Sequence, residues 1–118
     1  MRILNDWQYR YIEKSLFGYN ELQNSELETE RRMLAAIEEA LCYFSGSSHE
    51  IMMREFYFKR SAYCKAFTNA GHYRHVCFEL LHTEESNGYV IKREIIYKVA
   101  MFCYELGVFK SGASRFLN

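Results

Sequence analysis

The sequence predicts an all-α fold, a compact single-domain bundle of about six helices with a helix-turn-helix-like C-terminal half. Three observations predict it. Proline is absent and only six glycines interrupt 118 residues, a scarcity of breakers that suits helices better than a many-turned β-fold. Apolar residues recur at intervals of three and four along most of the chain. Helix-start residues stand immediately before several of those periodic runs.

Asn5 or Asp6 caps a first helix in which Trp7, Tyr11, Ile12, Leu16 and Tyr19 recur at near-helical intervals, and Gly18 ends it. Asn20 is expected to start a long second helix that runs to about Phe44. Leu34, Ile37, Leu41 and Phe44 form its core stripe, while Glu26, Glu28, Glu30, Glu38 and Glu39 fall largely off it. Gly46 fits the cap that closes this helix. Residues 1–46 thus read as an N-terminal helical pair, and 47–118 as the helix-turn-helix-like half. Ser47 and Glu50 have the spacing of a capping box and open a third helix with Ile51, Met52, Phe56 and Tyr57. Ser61 can cap a short fourth helix, Ala62 to Ala70, closed by Gly71. Residues 73–82 read as a fifth helix and Glu84 to Gly88 as a polar turn. The stretch from Tyr89 to Gly107 is the sixth helix, with Ile95, Val99, Phe102 and Leu106 at four, three, four spacing. No internal repeat, linker or low-complexity segment appears.

Composition is that of a globular chain: 49% apolar and 25% charged residues lie well away from the compositions of disordered chains. Such a chain buries roughly two thirds of the surface its unfolded form exposes. The four cysteines, Cys42, Cys64, Cys77 and Cys103, are scattered within apolar-periodic stretches, as expected of reduced, buried thiols in a cytoplasmic protein. There is no signal-peptide pattern and no apolar run of the ~18 residues a membrane span needs, so no membrane contact is expected. Net charge is zero, but its distribution alternates. Residues 21–50 hold seven acids against two bases, and residues 51–75 hold five bases against one acid. Residues 90–118 again carry five bases against two acids. Such blocks either present one basic face or wet the helices with both signs.

Catalytic constellations are thin, and no enzyme activity or cofactor is expected. Neither a phosphate-cradling glycine loop nor a nucleophile elbow occurs. Glu38–Glu39 and Glu84–Glu85 diverge on a helix instead of pairing. Glu79 and His82 have the Glu-x-x-His spacing of di-iron bundles, but in one copy where such sites use two. Cys64, His72, His75 and Cys77 have the ligand types of a zinc site but lack its knuckle spacing, so no metal is expected.

Nucleic-acid contact has better material. Residues 61–81 place two short helical runs around Ala70-Gly71-His72, the shape of a helix-turn-helix. Ala66, Ala70, Cys77 and Leu80 would face inward, with His72, Tyr73, Arg74 and His75 at the leading edge as donors for phosphates or base edges. Lys92 and Arg93, side by side near the start of the sixth helix, lie where the helix dipole disfavours cations. A phosphate partner would compensate for that placement.

"EFYFKR" (Glu55 to Arg60) followed at a distance by "VIKREIIYKVAMFCYELG" (Val90 to Gly107) resembles the C-terminal half of RinA/ArpU-type phage late-transcription regulators. "YIEKSLFGYNELQNSELETERRML" near the N-terminus is similar to that family's opening helices. The resemblance implies a DNA-binding protein of a phage or prophage that activates late genes through a helix-turn-helix like region 4 of sigma factors. On that reading the start of the sixth helix, with Asn87, Tyr89, Lys92 and Arg93, enters the groove, and Lys59, Arg60 and Lys65 add phosphate contacts. This chain departs from the pattern in two ways. The segment "HYRHVCFELLHTE" lengthens the gap between the two motifs, and the family is usually more basic. Double-stranded DNA is thus the expected partner, with RNA polymerase or another host protein meeting the acidic N-terminal helices. A homodimer is expected because Trp7, Tyr9, Tyr11 and Phe17 exceed what one helix stripe buries. The other reading is a mobile-element protein-interaction module that binds and inhibits or redirects a host protein through its aromatic surface.

Overall fold

The computed structural model describes residues 4–59 and 69–109. Arg60, Lys65, Cys64 and most of the expected fourth helix lie outside them. Every regular element among the described residues is helical: α1 Asp6–Phe17, α2 Tyr19–Leu22, α3 Glu28–Tyr43, α4 Ser48–Ile51, α5 Asn69–His75 and α6 Glu85–Glu105. α4 continues as a π-helical segment, Met52–Phe58, and α5 as another, Val76–Leu80. The all-α expectation is met, and no described helix is long and apolar enough to cross a membrane.

Local chemistry sets most boundaries. Asn5 is the N-cap of α1, and the buried Gln8 side chain accepts from the Asn5 N–H at 3.0 Å. Gly18 ends the helix as expected. The long second helix is broken instead. After α2, the Asn24 and Ser25 amides bond back three residues to Glu21 and Leu22, and the Ser25 hydroxyl accepts from the Leu27 N–H. A serine that satisfies nearby backbone in this way competes with helix, which is why propagation restarts only at Glu28. Gly46 sits at φ +80, a left-handed conformation suited to glycine. Ser47 accepts from the His49 and Glu50 amides. The Glu50 carboxylate reaches Gly46 N–H, one residue upstream of the expected cap partner, at 2.8 Å. That bond, followed by the Arg54 guanidinium, holds its carboxyl below the usual range.

The centre of the fold is α3 against α6. Early α3 meets late α6 through Met33 and Cys103, and Lys98 lies over Tyr43 at the far end of α3, so the two run antiparallel. Met33, Ala36, Ile37 and Ala40 are buried from α3, and Ile91, Ile95, Ile96, Val99, Ala100 and Cys103 from α6. The stripes are therefore rotated from those expected. Leu34, Leu41, Phe44 and Phe102 only flank the core, and Leu106 is exposed. Rotation puts small alanines at the seam, which lets the helices approach closely.

The segment Met52–Phe58 inserts five side chains, Met52, Met53, Phe56, Tyr57 and Phe58, into the core. A π-helix winds more slowly than an α-helix, so residues four and five apart, 52 with 56 and 57 and 53 with 57 and 58, lie on one side. α1 and α2 cover them: Phe17 meets Phe56 and Tyr57 at 5.4 and 4.8 Å between centroids, and Tyr19 at the start of α2 stacks on Phe58 at 4.0 Å. Tyr11 and Trp7 lean on Phe109. The aromatic excess of the N-terminal segment is thus largely absorbed within the chain, and of Trp7, Tyr9, Tyr11 and Phe17 only Trp7 is exposed. Of the cysteines, Cys77 and Cys103 are buried as expected, but Cys42 is exposed because the α3 stripe turned away from it.

Candidate nucleic-acid interface

The helical hairpin lies one element later than the local motif suggested. Asn69–His75 is one uninterrupted helix through Gly71, so no turn exists at Ala70-Gly71-His72. The turn is Leu81–Glu84 instead. Leu81 N–H bonds Val76 O, Thr83 N–H bonds Cys77 O, and His82 adopts φ 52. A left-handed residue reverses the chain sharply at the end of one helix, and α6 starts three residues later.

α5 and α6 meet at Gly88. This residue was expected in a polar turn, yet it is buried within the first turn of α6. A Cβ there would lie 2.3 Å from the Tyr73 hydroxyl and 2.6 Å from Cys77 Sγ, so only glycine fits this approach. The Tyr73 hydroxyl donates to Glu85 O at 2.6 Å and ties the two helices together. Burial, reinforced by the hydrogen bond to Cys77, raises its pKa above the ordinary tyrosine value. Gly88, Ile91 and Ile95 form the inward face of α6 at three and four spacing. That pattern was visible in the sequence once Gly88 is counted as helical.

The leading-edge assignments for α5 are overturned in part. Tyr73 and His72 are buried, 5% and 2% exposed, and His72 Nε2 bonds the Glu55 carbonyl at 2.8 Å. Ala70 and Leu80, expected inside, are exposed. Arg74 is exposed but spans the two helices, its Nε 3.5 Å from the Glu85 carboxylate. His75 is half-buried. Lys59 is exposed and pairs with Glu55 at 2.8 Å.

Lys92 and Arg93 part company. Lys92 Nζ sits 5.0, 4.9 and 5.1 Å from the ring centroids of Phe56, Tyr73 and Tyr89, and 3.7 Å from Glu13 Oε2. Its side chain is only 14% exposed. Burial lowers its pKa below the ordinary lysine value, with the Glu13 carboxylate acting against that shift. Glu13 also accepts from the Tyr57 hydroxyl at 2.8 Å. The ammonium therefore joins α1, the Met52–Phe58 segment, α5 and α6 from within and is not presented to a phosphate. The dipole penalty proposed for it also lapses: α6 begins at Glu85, so residue 92 is two turns in, where the terminal field has faded. Arg93, next in sequence, points out and is exposed.

What the start of α6 presents is a ladder: Ser86, Tyr89, Val90 and Arg93 are exposed on the side away from Gly88, Ile91 and Ile95, and Asn87 is exposed at its flank. Asn87 donates to Thr83 Oγ1 at 2.9 Å, and Tyr89 lies against Tyr73 at 4.9 Å between centroids. Ser86 and Val90 were not singled out by the sequence reading. Their i, i+4 relation within the outward face was the available signal. Among the described residues no group of His, Cys, Asp and Glu could hold a metal ion.

A second surface feature is apolar. A groove of about 690 Å³ runs along α6, lined by Tyr43, Phe44, Tyr97, Met101 and Tyr104 with Leu4 at one end. Its polar rim is Glu94, Lys98, Glu105 and His49, with His49 Nε2 2.8 Å from Glu94. Comparison with protein-family models, with curated proteins and with solved structures finds no match.

Proposed function

We propose that this chain is a double-stranded-DNA-binding transcription regulator that uses α5, the Leu81–Glu84 turn and the start of α6 as a helix-turn-helix. The observation that carries this reading is the α5–α6 junction: a glycine-only contact, a left-handed turn residue, and an outward ladder of Ser86, Asn87, Val90 and Arg93 on the second helix. An α-helix exposing short polar side chains from its first turn and one arginine in its third has the form that reads base edges in the major groove. Asn87 is suited to adenine, Arg93 to guanine or a phosphate, and Val90 to a thymine methyl. Lys59, Arg74 and His75 are then candidates for flanking backbone contacts, each within reach of solvent. The phage late-gene role implied by the resemblance is the finer form of the same proposal. α3, whose Glu28, Glu30, Glu38 and Glu39 outnumber Arg31 and Arg32, would face polymerase or another host protein.

The second reading, a module that binds a host protein, is favoured by the charge geometry. Arg32, Arg54, Lys59, Arg74 and Lys92 each lie within ion-pair distance of a carboxylate, which weakens any contiguous basic face, while the α6 groove is apolar. One titration separates the two. DNA binding to promoter-region duplex from the chain's own genome should fall steeply with salt, and Arg93→Ala should reduce the log–log salt slope by about one. Binding that is absent at both low and moderate salt would reject the regulator reading and leave the protein-binding one.

A further inference from the structure

The α6 groove and the exposed face of α1 differ in character and lie near each other, Gln8 of α1 donating to the Tyr104 hydroxyl of the groove at 3.0 Å. α1 buries Gln8, Ile12, Ser15 and Leu16 and turns Trp7, Arg10 and Lys14 outward, at three and four spacing on one side. Trp7, the only tryptophan of the chain, is 47% exposed. An indole left this accessible beside two cations is the composition of an interface anchor. The ion pairs among the described residues use neither Arg10 nor Lys14.

The groove has the opposite character. Tyr43, Tyr97, Met101 and Tyr104 supply apolar lining, and Glu94 and Glu105 lie on its rim. Glu105 closes α6, where the helix dipole disfavours a carboxylate, and neither α6 nor α3 has a basic residue in its last turn. Lys98, the cation on the rim, is already drawn over the Tyr43 ring at 3.9 Å. The site therefore carries two carboxylates against one lysine, and its volume admits a large ring.

Leu4, one turn before Trp7, lines the end of the groove. A projection and a recess side by side on one surface satisfy the requirement of a two-fold interface, in which each patch meets its own complement on the other copy. We propose that two copies of this chain associate about a two-fold axis, the Trp7–Arg10–Lys14 face of each α1 entering the groove of the other copy. The aromatic N-terminal segment then does mediate self-association, through Trp7 alone. The contact involves neither Asn87, Val90 nor Arg93 and stands independently of DNA binding.

Sedimentation equilibrium of the full chain through the micromolar range tests this. A dimer is expected, with a blue shift of Trp7 emission as it forms. Trp7→Ala and Met101→Glu, which damage the projection and the recess respectively, should each raise the dimer dissociation constant about tenfold or more, as loss of an interface anchor does. Mixing the two variants should restore association, because one intact contact of the pair remains. Trp7 also touches Phe109, so a charge exchange guards against misfolding: Arg10→Glu with Lys14→Glu should weaken the dimer, and adding Glu94→Lys with Glu105→Lys should restore it. A wild type that stays monomeric overturns the proposal, as does a dimer indifferent to Trp7→Ala and Met101→Glu in folded protein. Binding of a designed basic amphipathic peptide to the groove of a monomer would likewise reject the second copy in favour of a different protein partner.

Discussion

Gly88→Ala should destabilise the fold although it improves helix propensity. In an open helix position the change gains about 1 kcal/mol. Here the added methyl would stand 2.3 Å from the Tyr73 hydroxyl, 2.6 Å from Cys77 Sγ and 3.0 Å from Tyr73 Cζ. Tyr73 cannot swing away freely: it is buried, its hydroxyl is bonded to Glu85 O, and Phe56 and Tyr89 hold its ring at 5.5 and 4.9 Å. Overpacking of this kind costs about 1–3 kcal/mol, and loss of the hydroxyl bond adds about 1 kcal/mol. Against the propensity gain, the net should be a loss of roughly 1–3 kcal/mol. For a chain of this size that lowers the melting temperature by about 4 °C per kcal/mol. Urea denaturation followed by circular dichroism measures it directly. The mechanism makes a sharper claim through a double-mutant cycle. Tyr73→Phe removes the atom nearest the new methyl, so Gly88→Ala should cost less in the Tyr73→Phe background than alone. A Gly88→Ala protein at least as stable as wild type, or strict additivity with Tyr73→Phe, would refute the close approach of α5 and α6.

Rotation of the core stripes implies that Ile96→Ala costs about 2–5 kcal/mol, whereas Phe102→Ala, at a partly buried ring, costs less; chemical denaturation of the two variants should rank them in that order. Alkaline pH should unfold the chain. The Cys103 thiol is pushed up to about 12 by burial, and Tyr57 and Tyr73 are also raised, chiefly by burial. These groups stay protonated in the fold while the unfolded chain starts to ionise near pH 9, so their stabilisation is full below that pH and is lost as pH rises toward 12. The lowered Lys92 acts in the opposite sense, since stability from it grows as pH rises through its folded value toward 10.5, and it should only soften the decline seen in a melting series. With an aqueous disulfide reagent, Cys42 should react at once and Cys77 and Cys103 only on unfolding, as mass mapping of the labelled peptides would show.

Helix content, the Asn5, Gly18, Gly46 and Ser47 boundaries and the last helix were legible in the sequence because each rests on local chemistry: a cap, a left-handed glycine, or an uninterrupted 3.6-residue period. The break before α3 was also local, but a serine bonded to its own backbone leaves no mark in an apolar pattern. Which face of a helix turns inward was not local. Leu41 and Phe102 are as apolar as Ile37 and Ile96, and only the partner helix selected the alanine-lined seam that left Cys42 outside. The same holds for the adjacent Lys92 and Arg93. Neighbours on a helix point about 100° apart. Whether the inward one of such a pair is a lysine becomes a question of what it meets, and Phe56, Tyr73 and Glu13 came from three distant segments to receive it beside Tyr89 of its own helix. Sequence sets the directions available to each side chain, while burial of one charge is decided by the tertiary contacts that compensate its lost hydration.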